Sequence, residues 1–300
     1  MSISDPFWPR ADTWLEGDDP DPDLVVIGVP SSSASLSPSE AWRTPPLVRQ
    51  ALARFSVYDS EARVDLRDLV VADRGDWPVT GIDMHEMLQA ATGLASDLNA
   101  SPVHAFLGGD NAITRPIVRG LHSIDDVGIL TFDAHHDVRT TEPGPTNGSP
   151  IRGLVEDGLP DGRVTQIGIH SFANSGEYRE YCDDHGIEVI TMDVVDENDV
   201  GSLVRTALDD LSARVARVHV DVDMDVLDTA YAPGCPGSRP GGMTPRQLMA
   251  ACRSAGAHPA VMSVDFVEVD PSRDRDGMTI MNTASAFLAF ASGLATRKAS

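Results

Sequence analysis

Two acid-rich clusters, each placed directly behind a short apolar run, constrain this chain more than any other feature. Asp133-Ala-His-His-Asp137 follows the run Val127–Phe132, and Asp223-Met-Asp-Val-Leu-Asp228 follows the run Arg217–Val222. Short β-branched runs read as strands, and polar residues just past them belong at the carboxyl edge of a parallel sheet. Carboxylates gathered at one edge repel one another, and a pair of divalent cations is the simplest physical answer. Asp133, His135 and Asp137 alternate, so an extended chain would turn all three to one side, and Asp223 and Asp225 repeat that geometry. Hard ions such as Mn²⁺ favour carboxylate oxygens, with imidazole as a softer ligand. A carboxylate from each strand would bridge two ions about 3.5 Å apart, an arrangement that supplies hydroxide at neutral pH. Either cluster alone reads equally well as an acidic loop or a single Ca²⁺ site. The two together favour a dinuclear metallohydrolase.

Strand-like runs recur along the chain at Leu24–Val29, Leu69–Val71, His104–Gly109, Val127–Phe132, Val164–Ile169, Glu188–Met192, Arg217–Val222 and Ala260–Val267. Helix-like stretches lie between many of them, among them Met84–Leu98, Ser175–His185, Val200–Ala213 and Pro245–Ala255. Continuous apolar strands alternating with helices predict an α/β fold, a three-layer α/β/α sandwich around a mostly parallel sheet of about eight strands. No internal repeat or low-complexity linker divides the chain, so residues 1–300 are expected to form a single domain, with 1–23 as an exposed acidic lead-in. The long loops Ser31–Pro46, Val138–Pro150 and Thr229–Met243 follow strand ends, where loops of this length are usually functional.

Acidic residues outnumber basic ones by 46 to 23, a formal charge of -23. Such a surface repels phosphate backbones and anionic membranes, which argues against a nucleic-acid or membrane partner. Cys182, Cys235 and Cys252 are widely spaced and form no CxxC, so neither a zinc knuckle nor a disulfide framework is expected. The N-terminal residues lack a basic region followed by an apolar one, and no apolar run approaches the length that spans a bilayer. A cytoplasmic location is the corresponding expectation.

The motifs, taken in order, resemble the ureohydrolases, the family of arginase, agmatinase and formiminoglutamase. They are Gly108-Gly-Asp-Asn111, Asp133-Ala-His-His-Asp137, Asp223 to Gly234 ahead of Pro240-Gly-Gly-Met-Thr244, and Ser263-Val-Asp-Phe-Val-Glu-Val-Asp-Pro271. The resemblance covers residues 24 to 290 and implies a two-manganese enzyme acting on a small molecule, assembled as a homo-oligomer (trimer or hexamer). It implies that Asp133 and Asp223 bridge the ions, that Asn111 and Asp137 complete the first site, and that His135 and Asp225 complete the second. It also implies that Glu268 faces the substrate's nitrogens and that Asp137 handles the proton of the attacking water.

Two departures from the arginase and agmatinase pattern bear, in turn, on the first metal site and on the substrate. Asn111 stands where those enzymes have histidine, which predicts a weaker first site because an amide oxygen binds transition metals less tightly than imidazole. Asn147, in Pro145-Thr-Asn-Gly-Ser-Pro-Ile-Arg152, stands where they have the histidine of His-Gly-x-Pro. This loop, and Ile167-Gly-Ile-His-Ser-Phe-Ala-Asn174, resemble formiminoglutamase, which implies hydrolysis of N-formimidoyl-L-glutamate to L-glutamate and formamide, a step of histidine degradation. That substrate carries two carboxylates, and Arg139 and Arg152 are the guanidinium groups expected to bind them, with Asn147 and Asn174 as neutral partners. The alternatives are a guanidino-acid hydrolase that releases urea and a metal-poor, non-catalytic family member. Asp110 and Asp228 are expected to support ligands or loops. His136 and His219 are expected to be structural, Asp221 lies deeper in its strand, and Cys235 has no histidine beside it to make a nucleophile.

Overall fold

The computed structural model describes residues 5–17 and 19–298. Its strands in chain order are β1 (Leu24–Val29), β2 (Tyr58–Asp59), β3 (Val64–Asp65), β4 (Val71–Asp76), β5 (Val103–Gly108), β6 (Val127–Phe132), β7 (Val164–Ile169), β8 (Glu188–Thr191), β9 (Arg217–Asp223) and β10 (Val261–Val267). Apart from the small antiparallel hairpin β2–β3, they form one eight-stranded sheet in the order β4-β1-β5-β10-β9-β6-β7-β8. Every neighbouring pair in that sheet is parallel. After β5 the chain crosses to β6 and leaves a gap that β9 and β10 fill later. That places the carboxyl ends of β5, β10, β9 and β6 side by side at the centre of the sheet, where the strand order reverses and ligands of open α/β sheets bind.

The helices are α1 (Ala11–Leu15), α2 (Thr44–Leu52), α3 (Met84–Ser96), α4 (Thr114–Leu121), α5 (Pro150–Glu156), α6 (Gly176–Asp184), α7 (Met192–Glu197), α8 (Val200–Ser212), α9 (Pro245–Ala257) and α10 (Met278–Lys298). Alternation along the strands assigns them to two faces. Leu24 and Val26 of β1, with Val218, Val220 and Val222 of β9, pack under α1, α2, α8, α9 and α10. Val25, Ile27 and Val29 of β1, with Phe106 of β5, pack under α3 and α4. Val127 and Ile129 of β6 meet α4, α5 and α6. Both faces are covered, which is why every residue of β1, β5, β6 and β7 is buried.

Three expectations need correction. The lead-in is not wholly exposed, because α1 buries Ala11 and Leu15 in the main core; residues 1–4 and 18 of that segment lie outside the described residues. An apolar stretch of membrane-spanning length does exist: Met278–Arg297 qualifies by length and composition, yet 72% of its window is buried inside the protein, as befits a core helix. The strand expected at Leu69–Val71 begins only at Val71, since Leu66–Asp68 forms a tight turn capped by Asp65.

The long C-terminal helix approaches α9 at two glycines. A Cβ on Gly256 would lie 2.0 Å from the Phe290 carbonyl oxygen, and one on Gly293 would lie 2.0 Å from that of Arg253. These are contacts of backbone against backbone, which no rotamer change relieves. Gly256→Val is therefore expected to destabilise the fold by about 1–3 kcal/mol, the usual cost of overpacking, read as a lowered urea midpoint.

Candidate metal centre and active site

Each of the four central strands delivers acidic or amide groups to one point. β5 runs through Gly108-Gly-Asp into a single tight turn that opens at Asn111, and β10 ends next to Glu268. β9 ends on Asp223, whose Oδ1 accepts the backbone N–H of Asp225 at 2.8 Å in the turn beyond it. β6 ends at Phe132, and residues 133–137 then leave the sheet instead of continuing extended, so simple alternation does not explain how His135 and Asp137 converge. The Asp133 carboxylate accepts the His135 N–H at 2.6 Å and shapes that departure. Asp137 adopts φ 54° and Glu268 φ 66°, the left-handed region that L residues rarely occupy. Such conformations cost of order 1–3 kcal/mol each and are stored at functional sites.

Donor atoms of Asp133, His135 and Asp225 lie within 4.8 Å of one another, and so do those of Asp133, Asp137 and Asp223. Asp133 is common to both groups, as a bridging position requires, whereas Asp223 falls only in the second. Gly237 closes against this cluster: a Cβ there would sit 2.0 Å from Asp225 Oδ2, so only glycine allows the loop this close. Asn111 is fully buried and its Nδ2 donates to Asp137 Oδ2 at 2.7 Å and to Asp223 Oδ2 at 3.2 Å.

The charge balance shows what the cluster lacks. Among the described residues no arginine or lysine pairs with Asp133, Asp137, Asp223 or Asp225; His135 is the only cation, with Nδ1 3.0 Å from Asp225 Oδ2 and 3.5 Å from Asp133 Oδ1. Asp225, foremost, and Asp133 push the imidazole up to about 12. Burial and then the Asp225 charge raise Asp133 to about 6, while burial and the neighbouring carboxylates raise Asp137 and Asp223 well above the usual range. Asp225 alone is depressed, because the His135 charge and hydrogen bond outweigh its burial. Oxygen-rich, buried and short of positive charge, the cluster fits a pair of hard divalent cations.

The cleft above the cluster has a volume of about 220 Å³ and is walled by all three long loops, through Leu36 and Ser37, Arg139 and Asn147, and Pro236, Gly237 and Arg239. Glu268 Oε1 accepts the Asn111 backbone N–H at 2.8 Å and Asn147 Nδ2 at 2.9 Å, an arrangement that leaves Oε2 for a ligand. Burial, and then Asp110, raise Glu268 to about 8.

The remaining expected residues divide. Arg139 lines the cleft. Arg152 does not: it lies on α5, paired with Glu156 at 3.0 Å and stacked 4.9 Å above the Tyr181 ring, because the helix turns its side chain away. Asn174 lines the cleft, and its amide also holds the His136 N–H at 2.8 Å and the Ala134 carbonyl at 3.0 Å. Asp110 Oδ2 accepts from the Ala34 N–H and the Ser35 hydroxyl and anchors the first loop. Asp228 accepts the Ala230 and Gly241 N–H groups and fixes the third. His136 is tied to Gln166 at 2.7 Å, and burial pushes the Cys235 thiol well up and away from nucleophilic chemistry. Arg239 and Tyr178 were not anticipated from the sequence. Arg239 carried a usable signal, as the only cation in the loop Thr229–Met243.

The sequence profile of the arginase family matches residues 22–292. The formimidoylglutamase of Halalkalibacterium halodurans is 37% identical over 276 residues, 89% of this chain and 86% of its own length. The crystal structure of the Bacillus subtilis formimidoylglutamase superposes with a TM-score of 0.91 at 31% identity, covering 98% of this chain and 94% of that one. The guanidinopropionase of Pseudomonas aeruginosa is 33% identical, over 85% of this chain and 81% of its own length.

A cation that binds only the folded site stabilises it by mass action. Mn²⁺ at a hundred times its dissociation constant is expected to add about 2.7 kcal/mol, seen as a higher Tm that EDTA reverses. The gain should shrink as pH falls, since protons compete for the same ligand atoms.

Proposed function

Because the chain belongs to the arginase family, whose members are C–N hydrolases, we propose that it cleaves N-formimidoyl-L-glutamate to L-glutamate and formamide with the help of two Mn²⁺ ions. The cleft carries the substrate reading. Arg139 and Arg239 stand on two different loops at its rim, above an acidic floor. The substrate is complementary in both respects, with two carboxylates at one end and a basic amidine at the other. Guanidinium forks suit carboxylates. The similarity to two formimidoylglutamases supports the same reading, and histidine degradation is the route in which this reaction belongs.

Asp133, Asp137, Asp223, His135 and Asp225 would hold the metals, together with Asn111 through its amide oxygen. Bound there, the ions lower the pKa of water toward neutrality and polarise the group under attack. The chain's own residues do the rest. Glu268 is fixed through Oε1 by Asn111 and Asn147, so Oε2 meets the formimino nitrogens and favours the protonated, more electrophilic amidine. Asp137 is buried at the cleft floor and accepts the proton released as water adds to the formimino carbon. Asp137 passes that proton to the glutamate nitrogen, the bond from it to the carbon breaks, and the hydroxyl proton follows to the freed amine, releasing formamide and L-glutamate. Asn147, engaged with Glu268 and without a titratable proton, positions rather than transfers. A formimino carbon is intrinsically easier to hydrolyse than a delocalised guanidinium and needs less acid assistance.

The decisive assay offers N-formimidoyl-L-glutamate, arginine, agmatine and guanidinobutyrate in parallel with Mn²⁺. Glutamate and formamide from the first alone are expected; urea from a guanidino compound would overturn the substrate while keeping the metal site. Asp137→Asn is expected to lower kcat by about 10²–10⁴-fold, the usual contribution of a positioned base. Arg239→Ala and Arg139→Ala are each expected to raise KM about ten- to a hundredfold. That range corresponds to losing a charge-assisted hydrogen bond of about 1.5–3 kcal/mol.

A further inference from the structure

We propose that Thr114, held by Asp265, is a positioning residue that turns the Asn111 amide so that its oxygen faces Asp137 and Asp223. The inference rests on the reading of Asn111 as a ligand of the first metal. It follows from counting protons in a buried chain of hydrogen bonds beneath the site. The Thr114 hydroxyl, fully buried at the start of α4, lies 2.8 Å from Asn111 Oδ1 and 2.9 Å from Asp265 Oδ2. A hydroxyl has one proton, so it can donate to only one of these two oxygens.

The rest of the chain favours Asp265, whose carboxyl group also contacts the buried Asp221. His122 Nε2 and His219 Nδ1 both lie 2.7 Å from Ser263 Oγ, and His219 Nε2 lies 3.2 Å from Asp265 Oδ2. The pattern is consistent when His122 donates to Ser263, Ser263 donates to His219, and His219 donates to Asp265. The Asp265 carboxylate then accepts from Thr114 as well. With its proton given to Asp265, Thr114 has only lone pairs to offer Asn111. The complementary partner is the Asn111 NH₂ group, which leaves Oδ1 directed at Asp137 and Asp223.

The amide in the structure has the opposite sense, with Nδ2 donating to those two carboxylates. Bare carboxylates favour that sense, since they attract the nearest donor. It leaves Asn111 Oδ1 and Asp265 Oδ2 competing for one proton. A cation held by those carboxylates would remove the attraction for NH₂, and the turned amide ends the competition for the Thr114 proton. Thr114 accommodates both senses because it can donate or accept.

The test compares Mn²⁺ binding by calorimetry, and the low-temperature electron paramagnetic resonance of the bound ions, in wild type and variants. Thr114→Val keeps the shape and removes the hydroxyl. It is expected to weaken one of the two sites at least tenfold and replace a coupled-pair spectrum by that of a lone ion, with the other site unchanged. Thr114→Ser is expected to restore both. In an Asn111→His background, where no amide needs turning, Thr114→Val should change affinity less than twofold. Wild-type binding by Thr114→Val, or an equal loss in both backgrounds, would overturn the proposal. Should Thr114→Val not fold, judged by the Tm of the metal-free protein, Thr114→Cys replaces it with the same expectation. Asn111→Ala separates the two layers: unchanged binding overturns the ligand assignment itself, whereas a weakened site beside an unaffected Thr114→Val overturns only the orienting role.

Discussion

Mutual repulsion among buried carboxylates is the constraint to which the rest of this structure answers. Asp133, Asp137, Asp223, Asp225 and Glu268 are all buried at the meeting point of four strand ends. Removing a charge from water is costly unless something of opposite sign replaces the solvent. The chain supplies a single imidazolium and a set of neutral donors, the amides of Asn111 and Asn147 and several backbone N–H groups. Those are enough to hold the geometry but leave the charge uncompensated. A site built this way is suited to cations, which would supply the missing positive charge.

The supporting structure is organised around keeping that geometry. Left-handed backbone at Asp137 and Glu268 is tolerated because the surrounding hydrogen bonds outweigh its strain. The Glu268 N–H is tied to the Gly109 carbonyl at 2.9 Å, and the Asp137 carbonyl accepts the Arg152 N–H at 3.2 Å. This explains the place of Arg152 near the site even though its side chain turns outward: its backbone, not its guanidinium, serves the centre. Gly237 lets the third loop press against Asp225, and Asp110 and Asp228 anchor two of the loops that wall the cleft. Metal site and cleft are thereby built from the same segments, which couples the position of a substrate to that of the ligands.

A chain with formal charge -23 would repel at long range the substrate proposed here, whose two carboxylates outweigh its one protonated amidine. The two exposed rim arginines answer this locally. Opposed features therefore meet within a few residues, cationic at the rim and acidic at the floor. That polarity is complementary to the proposed substrate, with carboxylates at one end and an amidine at the other.

Much of this was legible in the sequence. Apolar runs bounded by acids marked β6 and β9 and the direction of the sheet, because burial on both faces demands continuous hydrophobic strands. The motifs also picked out every member of the acidic cluster, because the resemblance to the ureohydrolases carries over position by position. Local pattern could not say which arginines point inward. Arg152 and Arg239 look alike in sequence, and only the phase of α5 and the course of the third loop separate them. Nor could extended geometry be trusted at Asp133–Asp137, where the chain leaves the sheet and a left-handed residue, not alternation, returns Asp137 to the centre. The buried chain from His122 through Ser263, His219 and Asp265 to Thr114 was invisible for the same reason, as its members come from α4 and its C-terminal cap, β9 and β10. The sequence by itself determined the layered fold and the chemistry of the ligands, because those follow from periodicity and residue type. Which side chains face the cleft, and which way the Asn111 amide can turn, was decided only by tertiary structure, because those depend on atoms that are distant in the chain and a few ångströms apart in space.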